Sequence, residues 1–126
     1  VVFNKYKVKI SEHNLLFLEP NGSVHEILFT NCPKEDISWQ GLPEMVFECS
    51  GKNTSKHDCE FYLQGNTKLV LISATSWDPE ATLIYGFNHE DYDPTHRIIS
   101  YGSCTVNAYV PLANYIHLNS ATRFMC

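Results

Sequence analysis

Residues 97–118 read RIISYGSCTVNAYVPLANYIHL, and how this stretch divides decides the fold. Its texture is strand-like, with turn residues every few positions, which predicts three short strands over 97–101, 105–110 and 112–118. The same texture continues upstream through 61–63, 68–75 and 81–87 and downstream through 123–125. Polar loops are expected over 51–58 and 88–96. No internal repeat, low-complexity tract or linker interrupts the chain. The expectation is an α+β domain, mostly antiparallel β-sheet with little helix, spanning residues 1–126.

Working outward to the N-terminus, Tyr6, Val8 and Ile10 alternate with Lys5, Lys7 and Lys9, the period of two of a half-exposed edge strand. Apolar runs over 15–19 and 24–30 flank Pro20-Asn21-Gly22-Ser23, where Asn-Gly supplies the positive backbone angles of a tight hairpin. Leu15, Phe17, Ile27 and Phe29 are expected on its buried side. After Cys32, Pro33 at a first helical position with acids behind it predicts one short helix over 33–40, ended by Gly41 and Pro43.

The chain has 126 residues, 44% hydrophobic and 18% charged, which excludes a disordered, collagen-like or coiled-coil protein. Nine Lys and Arg against 14 Asp and Glu give a net charge of -5, which argues against duplex DNA as a partner. No apolar run reaches the ~18 residues of a spanning helix, so membrane insertion is not expected. Cys32, Cys49, Cys59, Cys104 and Cys126 show no C-x-x-C pair and no zinc spacing, and disulfides are the expected use. A bond between Cys49 and Cys59 would pin the polar loop between them. Sequons at Asn21 and Asn53 are candidate glycosylation sites, and together with the cysteines they point to secretion.

His89, Asp91, Asp93 and His96 cluster in one loop, but without the glycine and terminal glutamate of a calcium loop no metal is assigned. No cofactor is expected. A thiolate pair of Cys104 with His117 is conceivable, but a cysteine among expected cystines is assigned to structure. Three polar residues on successive strands make a better kit. Glu80 to take a proton from a ribose 2′-hydroxyl, His117 to protonate the leaving oxygen and Arg97 to hold the phosphate would suffice for RNA transphosphorylation. No Lys or Arg occurs between Lys68 and Arg97, so Glu90, Asp91 and Asp93 form an acidic patch suited to a basic partner surface.

Over residues 77–126 the order of these residues resembles the small fungal guanyl-specific ribonucleases, and the run His117-Leu118-Asn119-Ser120-Ala121 followed by Phe124 and Cys126 is the nearest piece. The resemblance implies a disulfide from Cys32 to Cys126 and a ribonuclease-like body over 31–126, behind an N-terminal hairpin region over 1–30. The family's guanine-reading loop and second histidine have no clear equivalent here. Binding without turnover is therefore the expected function: a secreted interaction protein, a pathogen virulence effector on a degenerate ribonuclease-like scaffold, engaging a host protein or single-stranded RNA. An active endoribonuclease is the first alternative, and a β-sandwich viral or cell-surface recognition glycoprotein the second.

Overall fold

A computed structural model describes residues 6–11 and 13–120. The chain divides into two compact units, residues 1–38 and 39–126.

The first unit is a three-stranded antiparallel meander, β1 (Lys7–Ile10), β2 (Asn14–Leu18) and β3 (Val24–Leu28). Val8 stands opposite Phe17, Ile10 opposite Leu15, and Leu15 opposite Ile27, so the alternation of β1 carries one apolar face across all three strands. Tyr6 stacks on Phe17 with ring centroids 5.0 Å apart. The hairpin forms where Pro20–Ser23 places it, but by a different turn. Gly22 N–H donates to Glu19 O, Asn21 Oδ1 accepts from Ser23 N–H, and Gly22 alone has positive φ, +89°. Ile27 and Phe29 remain about half exposed rather than buried. Of the helix expected over 33–40 only a single 3-10 turn forms, Lys34–Asp36 behind Pro33.

The second unit is built on a parallel sheet: β4 (Met45–Glu48), β5 (Leu69–Ile72), β6 (Ala81–Thr82) and β7 (Ile98–Ser100), in the order β4-β5-β7-β6. This corrects the antiparallel expectation. The runs Leu69–Ile72 and Ile98–Ser100 are near-continuously apolar, the texture of central parallel strands, whereas a one-sided antiparallel sheet would alternate. Val70, Ile72 and Ile98 are fully buried, with Val46, Cys59 and Tyr62 beside them and Trp39, Phe61 and Leu63 at the margin.

Two helices replace expected loops and strands. The first, α1 (Lys56–Glu60), starts inside the segment read as a polar loop and runs into the one read as strand 61–63. Its signal was present: Ser55 Oγ accepts from Asp58 N–H and donates to Asp58 Oδ2, a Ser-x-x-Asp cap. The second, α2 (Cys104–Asn119), takes up both segments read as strands over 105–110 and 112–118. Pro111 within it and the branched and aromatic side chains on all its sides masked the helical period. The strand expected over 123–125 lies outside the described residues.

Cys32, Cys49, Cys59 and Cys104 form no disulfide, which overturns the disulfide-containing domain and the pair Cys49 with Cys59; Cys126, the expected partner of Cys32, lies outside the described residues. Cys59 is buried and its Sγ donates to Asn53 O at 3.3 Å, which makes it a core residue of α1. Among the described residues no helix is long and apolar enough to cross a membrane.

Candidate functional site

Because all four strands of the second unit run the same way, the sheet has an amino rim and a carboxyl rim, and the polar residues divide between them. Glu80 and Arg97 lie on the amino rim, at the entry to β6 and β7. The Glu80 carboxylate accepts from the backbone N–H groups of Arg97 and of Ile98, the latter at 3.2 Å, and pairs with Lys56 Nζ at 3.0 Å. The Arg97 N–H, the Lys56 ammonium and the Ile98 N–H hold its pKa down at about 2 against an ordinary 4.5. A carboxylate so saturated is a latch between β6 and β7. The cleft beside it, about 330 Å³, is lined by Lys56, Glu60, Leu63, Glu80, Arg97 and Ile98. His117 sits in the last turn of α2 and lines no part of it. The three residues of the expected ribonuclease kit are thus brought together as a pair, and Arg97 meets Glu80 through its backbone.

Glu90 and Asp91 form a 3-10 turn with His89, and Asp93 caps the next turn through Thr95 N–H, which keeps its carboxyl below the ordinary range. Asn21 stands exposed in the hairpin turn. Asn53 Nδ2 is engaged with Glu48 Oε2 at 3.0 Å and Tyr62 Oη at 3.3 Å.

The carboxyl rim is organised by two buried groups. Glu48, at the end of β4, accepts from Ser50 N–H at 2.7 Å and from Tyr62 Oη–H at 2.8 Å. Burial raises its pKa, but the hydrogen bonds from Ser50, Asn53 and Tyr62 outweigh it, so the net shift is downward; burial, with the Glu48 carboxylate second, pushes the Tyr62 phenol up. This network fixes the loop after Cys49. Ser100, fully buried at the end of β7, donates to Ala74 O at 2.6 Å and accepts from Gly102 N–H at 3.0 Å.

From Ser100 the chain turns sharply into α2. Gly102 has φ +72°, and a Cβ there would lie 3.1 Å from Ile84 Cδ1, so only glycine makes the turn without strain. Ser103 caps the helix, its Oγ accepting from Val106 N–H at 3.2 Å. Cys104 is then the first helical residue, exposed, on the carboxyl rim of a parallel sheet, where such folds bind ligands. The N–H groups of Cys104 and Thr105 meet no acceptor among the described residues. A thiol and two open donors therefore share one helical turn, which suits attack on a carbonyl whose oxygen gains charge.

No protein-family model matches the chain. Direct comparison finds 42% identity over 83 residues with a glyceraldehyde-3-phosphate dehydrogenase of Pseudomonas aeruginosa, covering 65% of this chain and 25% of that protein. The chain is similar to glyceraldehyde-3-phosphate dehydrogenases. A Streptomyces coelicolor enzyme of that name is 34% identical over 120 residues, 94% of this chain and 35% of the relative. One from Bacillus cereus is 41% identical over 99 residues, 77% and 29%. The chain spans about a quarter to a third of the length of these curated relatives.

These similarities overturn the ribonuclease resemblance, and with it the catalytic roles of Glu80, Arg97 and His117. A parallel α/β unit with two helices also excludes the β-sandwich alternative. The secreted virulence effector falls too, since its support was cystines that are free thiols and a scaffold the relatives do not share. Binding without turnover has the same fate, because the similar proteins are named as dehydrogenases. Cys104, set aside in the sequence as structural, is the residue that reading missed. Its signal was Gly102-Ser103 directly before it, a turn residue followed by a residue suited to capping a helix.

Proposed function

We propose that this chain carries the nucleophile-bearing part of a dehydrogenase acting on an aldehyde of the glyceraldehyde-3-phosphate type, with Cys104 as the nucleophile. The observation that carries the reading is the identity of 34% over 94% of the chain, combined with the placement of Cys104 at the start of α2.

The step assigned to these residues is covalent capture. Cys104 Sγ forms a bond to the aldehyde carbon, the carbonyl π pair moves to oxygen, and the thiol proton ends on that oxygen as a thiohemiacetal hydroxyl. The open N–H groups of Cys104 and Thr105 are fixed donors for the charge that develops on the way. Oxidation of the adduct requires an acceptor of hydride. None of the six glycines stands in a G-x-G-x-x-G spacing, so this chain's own residues do not fit a dinucleotide pyrophosphate, and no step is drawn through one.

The test is protection. Glyceraldehyde-3-phosphate should slow alkylation of Cys104 by iodoacetamide, followed by peptide mass spectrometry, while Cys32 and Cys49 label at unchanged rates. Equal labelling of Cys104 with and without the aldehyde overturns the reading.

A further inference from the structure

The side chain of Asn107 makes two hydrogen bonds that the helix does not need. Its Nδ2 donates to Tyr101 O at 2.6 Å and to Ser103 O at 2.9 Å, while its backbone N–H already closes the first helical bond to Ser103 O at 3.0 Å. Asparagine inside a helix is ordinarily unfavourable because its amide competes with the backbone. Here that competition is directed backwards, across the strand-to-helix turn. Tyr101 directly follows β7, with its N–H donating to Ile72 O at 3.3 Å, and Ser103 opens α2, so one amide ties the sheet to the helix on both sides of Gly102.

Cys104 is the first of the three residues between those anchors and Asn107. We propose that Asn107 is a positioning residue, which keeps Cys104 in the first turn of α2 with its sulfur beside the open N–H groups of Cys104 and Thr105; this deepens the reading of Cys104 as nucleophile and rests on it. The Ser103 cap fixes Val106 and the Ser100 hydroxyl fixes Gly102, but neither reaches across the turn to hold Tyr101 O and Ser103 O together. With the amide gone, the Asn107 backbone N–H and the Ser103 cap still hold the helix start, but nothing ties it back to Tyr101 O. Asn107 is solvent-exposed, so water replaces its hydrogen bonds energetically without replacing the tether.

The test compares alkylation by anionic iodoacetate with alkylation by neutral iodoacetamide, quantified at each cysteine of the full chain by mass spectrometry. Open N–H groups at a helix start favour the anionic reagent. The iodoacetate-to-iodoacetamide rate ratio at Cys104 should exceed that at Cys49 by about threefold, the size of one charge interaction at a helix terminus. Asn107→Ala should bring the ratio at Cys104 down to that at Cys49, with the circular dichroism spectrum unchanged. Asn107→Gln, which keeps the amide, should restore at least half of the excess. Asn107→Ser retains a donor for Ser103 O but cannot reach Tyr101 O; it should also lose the excess, and it decides the matter if Asn107→Ala does not fold. A wild-type ratio in the alanine or serine variant overturns the proposal, as do equal ratios at Cys104 and Cys49 in the wild type. Loss of the excess in the variants, alongside a wild type that glyceraldehyde-3-phosphate does not protect, would leave the tether standing and remove the substrate.

Discussion

The two rims of the parallel sheet hold their polar groups in opposite ways. On the amino rim, the Glu80 carboxylate receives two backbone N–H groups and the Lys56 ammonium. On the carboxyl rim, the hydroxyls of Ser100 and Ser103, the amide of Asn107 and the carboxylate of Glu48 are likewise satisfied, while the N–H groups of Cys104 and Thr105 at the start of α2 meet no acceptor among the described residues. A carboxylate saturated in this way has little left to offer a substrate. Saturated neighbours around an unsatisfied centre are what rigid positioning requires. Residue types alone made the amino rim look like chemistry, and the proposed function moves it to the other rim.

The largest test of this contrast is Cys104→Ser, which should abolish the protein's capacity for aldehyde capture while leaving its melting temperature within about 3 °C of wild type, since the side chain is exposed. Glu80→Gln should do the reverse, keeping capture and losing stability. Gly102→Val comes next: a β-branched residue at φ +72° pressed against Ile84 should cost about 1–3 kcal/mol in chemical denaturation and lower capture with it. Retained stability there would mean that the turn tolerates a side chain and does not constrain Cys104.

The pH dependence of the amino rim is a smaller effect. The Glu80 carboxyl titrates at about 2 in the folded chain against an ordinary 4.5, so its stabilisation is fully present above pH 4.5 and disappears as pH falls towards 2. The contribution is on the order of 1 kcal/mol once screening by solvent is allowed for. The gap in urea midpoint between wild type and Glu80→Gln should therefore be wide at pH 6 and narrow by pH 3. The smallest effect is expected for Lys56→Met, a urea midpoint barely below wild type, because the ammonium is exposed and only one of three partners of Glu80.

Sequence by itself determined the local pieces whose signals lie within a few residues. Pro20-Asn21-Gly22-Ser23 placed the β2–β3 hairpin, the alternation of Tyr6, Val8 and Ile10 marked β1 as an edge strand though all four of its residues stand exposed, and the apolar runs at 69–72 and 98–100 marked strands. Whether those strands ran parallel was decided by the crossover between them, a long-range property that no window of residues contains. The same holds for the cysteines: five in a chain of this length suggested cystines, but only their positions in space show Cys59 packed in the core and Cys104 opening a helix. The helix itself was hidden because α2 mixes apolar and polar residues around its circumference and carries Pro111, so neither an amphipathic period nor an uninterrupted run announced it. The candidate site was decided by tertiary structure for the same reason. Asn107, Ser100 and Gly102 are unremarkable residue types, and what makes them a cradle for Cys104 is the distance from Nδ2 to Tyr101 O and the lack of room beside Ile84, which exist only once β7, β5 and the start of α2 have met.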